Sequence, residues 1–269
     1  MTRPIRLYYF RDSSGKPNFG DELSPLIVSF LTGRSVEHCG PLTCDLTGIG
    51  SILDRFTRAK GRLATYLRRT LLGRNIAVWG SGLIQDTGPR RHNLQLLALR
   101  GQQTRVAMAG DATLPLGDPG LLVGRMIGRQ AQRFAIGVVP HYTDRDDPMV
   151  QALRSIKDVR VIDVDGDTMT VTRDIGACGL VLSSSLHGLI VADSLGLPNH
   201  RLTFGGRLKG GDFKFLDYAS AIGRPDVAAT SLARPEDVLR FASGAADFSY
   251  QSGIDGVCDA LERALRAGF

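Results

Sequence analysis

The stretch Gly179-Leu180-Val181-Leu182-Ser183-Ser184-Ser185-Leu186-His187-Gly188 decides how the chain is read. A continuous apolar run ends in three serines. A helical pattern follows through Leu186, Leu189, Ile190 and Leu195, and Gly196 and Pro198 stop it. A buried strand leading directly into a helix is half of a βαβ unit, which builds parallel sheets covered on both faces. The same alternation recurs outward from this point, with apolar runs at 46–52, 76–79, 94–99, 134–139 and 159–164. Ile5-Arg6-Leu7-Tyr8-Tyr9-Phe10 reads as the first strand, and a polar loop over 11–20 follows it. Asp21-Glu22-Leu23-Ser24-Pro25 then opens a helix whose apolar face is Leu23, Leu26, Ile27, Phe30 and Leu31. The predicted class is α/β with two Rossmann-like halves. A turn at Gly117-Asp118-Pro119-Gly120 divides the chain into domains 1–120 and 121–269, and an amphipathic helix over 254–267 ends it. No internal repeat is evident in the sequence.

Composition narrows the class further. The chain has 269 residues, 43% of them hydrophobic and 22% charged, which excludes a disordered or collagen-like protein. No apolar run approaches the ~18–20 residues needed to span a bilayer. The start, Met1-Thr2-Arg3-Pro4-Ile5, lacks the apolar core of a signal peptide, so a cytoplasmic protein is expected. Cys39, Cys44, Cys178 and Cys258 are too few for a disulfide framework, and Cys39 and Cys44 are too loosely spaced for a metal clip. Neither a metal nor a cofactor is expected. The net charge is +6, and seven cations account for all of it: Arg55, Arg58, Lys60, Arg62, Arg68, Arg69 and Arg74, with no acidic residue among them.

The serine-to-helix junction gathers orphan backbone N–H groups, the hydroxyls of Ser183, Ser184 and Ser185, and His187 at a helix N-terminus, an arrangement suited to anions. It also reads as an ordinary serine cap beside a partly buried histidine. His141 follows the run 134–139 and Pro140, so both histidines are expected at carboxyl ends of strands, facing one crevice. His38, His92 and His200 have no such setting. Gly80 and Gly82, in Trp79-Gly80-Ser81-Gly82, stand where a strand end allows close approach of a ligand or a neighbouring backbone. Asn18-Phe19-Gly20-Asp21 is a helix-opening turn, and Arg100 ends a run where a guanidinium could grip a carboxylate or phosphate.

These stretches, with Gly117-Asp118-Pro119-Gly120-Leu121-Leu122 and Val139-Pro140-His141, occur in the order found in the polysaccharide pyruvyl transferases. The chain resembles that family, most closely its exopolysaccharide ketal-pyruvate transferases, as far as about Pro198. The resemblance implies a GT-B-like fold, two Rossmann-like domains facing a cleft. It implies phosphoenolpyruvate as co-substrate and a lipid-linked oligosaccharide or polysaccharide as acceptor, with a pyruvate ketal and phosphate as products. Carried over by position, Arg100, Ser183, Ser184, Ser185, Leu186 and His187 are expected on the donor side. Asn18, Gly20, Asp21, Gly80 and Gly82 are expected to line the cleft on the acceptor side. His187 is expected as acid or phosphate partner, with His141 or Asp21 as base.

On this reading the basic segment 55–74 gains a use. Phe56, Leu63, Tyr66, Leu67, Leu71 and Leu72 interleave with its cations, as in a helix lying on anionic lipid at the inner face of the membrane. The other reading is a solvated cationic stretch, because Gly61 looks like an interruption. No nucleic-acid module accompanies the charge, so nucleic acid is not an expected partner. The alternative activity is a nucleotide-sugar-dependent GT-B glycosyltransferase, in which Asp193 would have to hold a ribose. A non-catalytic binding protein is a third reading.

Overall fold

The apolar runs pair as parallel strands. The computed structural model describes residues 3–11, 18–86, 88–205, 211–225, 227–243 and 248–269. Met1, Thr2, residues 12–17 of the expected polar loop, and the side chains of Arg69 and Leu72 lie outside the described residues. The first sheet holds β1 (Ile5–Tyr8), β2 (Val36–His38), β3 (Leu46–Thr47), β4 (Ala77–Trp79) and β5 (Gln95–Ala98), in the order β2-β1-β3-β4-β5. The second holds β6 (Phe134–Val139), β7 (Val159–Val161), β8 (Cys178–Ser183), β9 (Asn199–Thr203) and β10 (Thr230–Ser231), in the order β10-β9-β8-β6-β7. Counted from β7, the second sheet repeats the first: second, first, third, fourth, fifth strand. Topology thus carries a duplication that the residues do not. In such a sheet the strand order reverses between first and third strands, and ligands sit outside the carboxyl ends there. These two places are β1/β3 and β6/β8.

The helices are α1 (Phe19–Thr32), α2 (Asp54–Thr57), α3 (Ala59–Leu72), α4 (Gln102–Ala107), α5 (Val123–Ile127), α6 (Pro148–Leu153), α7 (Thr168–Gly176), α8 (Leu186–Ser194), α9 (Phe213–Ile222) and α10 (Ile254–Gly268). Asn18 caps α1 by accepting the Gly20 N–H at 3.2 Å, and Gly33 closes it in the left-handed region. One apolar core draws on both sheets, joining Leu7, Ile27 and Trp79 to Val139, Ile190 and Leu261. No described helix is long and apolar enough to cross a membrane.

Four expectations change. The run 46–52 pairs only over Leu46–Thr47; Gly48 and Gly50 turn the chain away, and Ile49 and Ile52 are buried as loop residues. The Gly117-Asp118-Pro119-Gly120 turn, expected at a boundary, is itself buried from Asp118 to Leu122. Gly61 does not interrupt α3. A side chain there would strike the backbone of Arg55, so its absence lets α3 close on α2. Finally, the terminal helix, assigned by sequence to the second half, crosses to the first sheet, where Trp79 Nε1 donates to the Leu261 carbonyl at 2.8 Å.

Candidate active site at the facing strand ends

α1 leaves the carboxyl end of β1 and α8 leaves that of β8, and their first turns touch. A Cβ on Gly20 would fall within the imidazole of His187, so the missing side chain makes the seat for that ring. Beneath it Asp21 is buried, its Oδ1 without a hydrogen-bond partner. Burial, then the neighbouring charges of Asp118 and Glu22, raise the Asp21 carboxyl well above the usual carboxylate range. Asp118 accepts the Gly120 N–H at 2.9 Å through Oδ1 and leaves Oδ2 unpaired; burial pushes it up to about 6. His187 Nε2 is also buried without a partner. Burial, with Lys214, Arg100 and His141 nearby, brings that imidazole down to about 3, so it is neutral at pH 7.

β6 lies beside β8 with Val139 opposite Ser183, which brings His141 next to the serine junction. The His141 backbone N–H donates to Ser184 Oγ at 2.9 Å, and its Nδ1 meets Thr143 Oγ1 at 2.7 Å. Burial and Lys214 push His141 down to about 4. The three serines divide. Ser183 and Ser184 are fully buried. Ser183 Oγ donates toward the Val139 and Ser185 carbonyls, and Ser184 Oγ donates to Asp144 Oδ2 at 2.6 Å. The expectation of three hydroxyls facing a ligand therefore narrows to Ser185. It stands at the N-cap of α8 without making a side-chain cap, leaving the N–H groups of the first turn at Leu186 free of one.

Arg100 is buried at 1% exposure and wholly engaged. Nε donates to Asp217 at 3.0 Å, NH1 to Ser51 at 2.5 Å and NH2 to the Leu83 carbonyl at 2.7 Å. Its side chain is thus already held by Asp217, Ser51 and the Leu83 carbonyl, contacts that the sequence does not show. Gly82 makes room for that guanidinium. Gly80, at φ +79°, packs against Pro119 and the Gly117 carbonyl, a packing position and not a lining one. Asn18 is spent as the α1 cap.

Two cations were not singled out by sequence. Lys214, in the first turn of α9, is 8% exposed and makes no hydrogen bond or ion pair with the described residues. Burial, Arg100 and Arg201 lower its ammonium to about 8, while Asp144 and Asp21 oppose them. Arg201, near the carboxyl end of β9, lies over the Phe215 ring at 3.7 Å, with Lys214 Nζ 5.3 Å from the same centroid. Its NH2 donates to Asp212 and its NH1 to the Val227 carbonyl, and its Nε is buried without a partner. Phe-Lys-Phe in the α9 sequence hints at a lysine drawn into a core; nothing local marks Arg201.

Five buried side-chain polar atoms lack partners among the described residues. Four of them, on Asp21, Asp118, His187 and Arg201, belong to this crevice. Buried polar atoms are almost always satisfied, so their concentration marks a place that a polar ligand would complete. A concavity of about 680 Å³ beside Gln130, Gly176 and Leu195 lies at the amino ends of β6, β8 and β9 instead. Ligands of parallel sheets bind at the opposite edge, and none of the five unpartnered buried atoms lines it. Asp193, which a nucleotide-sugar enzyme would aim at a ribose, is sealed inside. It accepts from Tyr218, Tyr250 and Asn199 at 2.7–2.8 Å.

No family model matches the chain. It is 26% identical over 222 residues to the succinoglycan biosynthesis protein ExoV of Rhizobium meliloti (strain 1021), covering 81% of this chain and 65% of that protein. It is 30% identical over 161 residues to the uncharacterized protein L143 of Acanthamoeba polyphaga mimivirus, covering 56% of each. The chain thus spans 56% and 65% of the lengths of these two curated relatives. Among solved structures, an uncharacterized protein of Klebsiella pneumoniae subsp. pneumoniae NTUH-K2044 aligns with a TM-score of 0.42 at 8% identity, over 85% of this chain and 93% of the other.

Proposed function

We propose that the chain acts in exopolysaccharide biosynthesis as a pyruvyl transferase, moving the pyruvyl group of phosphoenolpyruvate onto two hydroxyls of a sugar and releasing phosphate. The observation that carries the reading is the set of unpartnered buried polar atoms at the crevice, with Lys214 and Arg201 beside them, together with the likeness to a succinoglycan biosynthesis protein. Phosphoenolpyruvate brings a phosphate and a carboxylate. Lys214, Arg201 and the uncapped start of α8 are the groups with donors to spare for two anionic ends. Arg100 adds fixed positive charge behind them. The facing of two Rossmann-like units across a cleft, as in GT-B enzymes, belongs to the same proposal.

In this scheme His187, neutral in the free protein, gains a proton when the donor's negative charge arrives, and delivers it to the methylene carbon. The central carbon becomes electrophilic and a sugar hydroxyl adds to it. Asp21, whose basicity burial strengthens, takes the hydroxyl proton in its ionised form; His141 is the alternative base. The carbon–oxygen bond to phosphate breaks, and a second hydroxyl closes the ketal. Of the two hydroxyl protons, the balance places one on the new methyl group and one on phosphate.

The test is phosphate release from phosphoenolpyruvate against a panel of lipid-linked or synthetic glycosides. His187→Ala is expected to slow release by about 10²–10⁴-fold. At 100 times its Kd, phosphoenolpyruvate should raise the melting temperature by roughly 5 °C or more. A rise with UDP- or GDP-sugars and none with phosphoenolpyruvate would instead select the glycosyltransferase.

A further inference from the structure

α3 is amphipathic the wrong way round. The face it turns to the protein carries Gly61, Thr65 and Arg68, which are buried. Arg68 donates to the Leu42 carbonyl at 3.0 Å and to Asp45 Oδ1 at 3.0 Å. The opposite face carries Leu63, Tyr66, Leu67 and Leu71, which are 59%, 52%, 45% and 75% exposed. Their spacing of three and four residues makes one continuous stripe along the helix. Four of the eleven large apolar side chains exposed among the described residues thus lie in one place, which scattered surface leucines do not explain.

The charge around the stripe is of one sign. At 3.6 residues per turn, Arg62 falls on one flank of the stripe and Lys60 at its amino-terminal end, with Arg58 at the start of the helix and Arg74 just past its end. No acidic residue occurs from 55 to 85. The side chains of Arg58, Lys60 and Arg62 make no hydrogen bond or ion pair with the described residues, unlike the buried Arg68, and Arg74 lies within the field of Asp45. A second copy of the chain docked stripe to stripe would bring two sets of uncompensated cations together. An anionic bilayer offers the complement to both parts, hydrocarbon for the leucines and headgroup charge for the flanks.

We propose that the outer face of α3 is a docking surface for anionic lipid, with Leu63, Tyr66, Leu67 and Leu71 entering the interface and Lys60, Arg62 and Arg74 at headgroup level. Helix α3 is the crossover from β3 to β4, so it starts at the carboxyl edge that holds the crevice. A protein lying on this face has its candidate site beside the lipid surface. The proposal does not rest on the chemistry assigned to the crevice, and its test reads neither phosphoenolpyruvate nor phosphate.

The full chain is sedimented with vesicles of phosphatidylcholine alone and of phosphatidylcholine with phosphatidylglycerol, at low and high salt. Binding is expected to the anionic vesicles only, weakening as salt screens the charges. Leu67→Ser/Leu71→Ser and, separately, Lys60→Glu/Arg62→Glu should each lower partitioning by about tenfold or more. Far-UV circular dichroism and melting should be unchanged in both, because all four side chains lie outside the core. No binding to anionic vesicles at low salt would overturn the proposal, as would binding that neither variant weakens. So would self-association in sedimentation velocity that Leu67→Ser/Leu71→Ser abolishes in a chain indifferent to vesicles.

Discussion

A lysine with 8% of its surface exposed and no hydrogen bond or ion pair among the described residues is costly to hold in the charged form, because an ammonium loses more in desolvation than burial returns. Lys214 answers by releasing its proton more easily, at about 8. An anion in the crevice reverses that preference, so the lysine must be protonated for tight binding. The sign follows. Phosphoenolpyruvate affinity should hold from pH 7 to about pH 8 and then fall by up to about tenfold per unit as the free lysine loses its charge. In Lys214→Met the overall affinity should be lower and this alkaline limb absent, as titration calorimetry between pH 7 and 9.5 would read. At the residue scale the sequence shows which groups carry chemistry but not which of them are already spent. His187 stands where its motif puts it. Arg100 looked equally available, yet its partner Asp217 is 117 positions away, and only folding brings them together. Ser183 and Ser184 face inward for the same reason: a strand end buries hydroxyls as readily as it presents them.

Among the elements, the best read is β6, which occupies the run 134–139 in full, because six apolar or small residues in a row have little choice but the middle of a parallel sheet. β9 was not predicted. Its sequence, Asn-His-Arg-Leu-Thr, looks like loop, yet Asn199 pairs with Asp193 and Arg201 with Asp212, so tertiary partners satisfy a polar strand. The three-residue β2 is an edge strand with only Val36 partly buried, too short for an apolar alternation to mark it. Gly61 was misjudged because helix propensity counts its flexibility as a cost, whereas here its lack of bulk closes the α2–α3 contact. Gly61→Val should force that contact apart at a cost of about 1–3 kcal/mol and lower the melting temperature by roughly 2–12 °C. Differential scanning fluorimetry would measure it.

For the whole molecule, the α/β class and the parallel sheets were legible, since strand and helix patterns alternate from end to end. The twofold use of one strand order was not, because pairing order leaves no trace in local composition. Nor was the path of α10, whose amphipathic face says only that it packs, not on what. That face places Ile254, Cys258, Leu261 and Leu265 in the core shared by both sheets. Burial of such side chains is worth about 1.5–3 kcal/mol apiece, so the helix contributes on the scale of the net stability of a whole domain, about 5–15 kcal/mol. A chain ending at residue 253 should therefore show no cooperative melting transition by circular dichroism. Recovery of a native-like transition would mean that α10 is an accessory to the first sheet.

The His187 ring rides on a helix from one sheet and is roofed by Gly20 on a helix from the other. Parting the two by the width of a water molecule would wet Nε2, and with hydration the imidazole recovers basicity toward, though short of, that of a free histidine, because Lys214 and Arg100 still repel its charge. The proton carried by this single side chain is thereby a gauge of the gap: shut, the ring is bare near neutrality; ajar, it begins to charge. A nuclear magnetic resonance titration of one histidine would then report how wide the protein stands open.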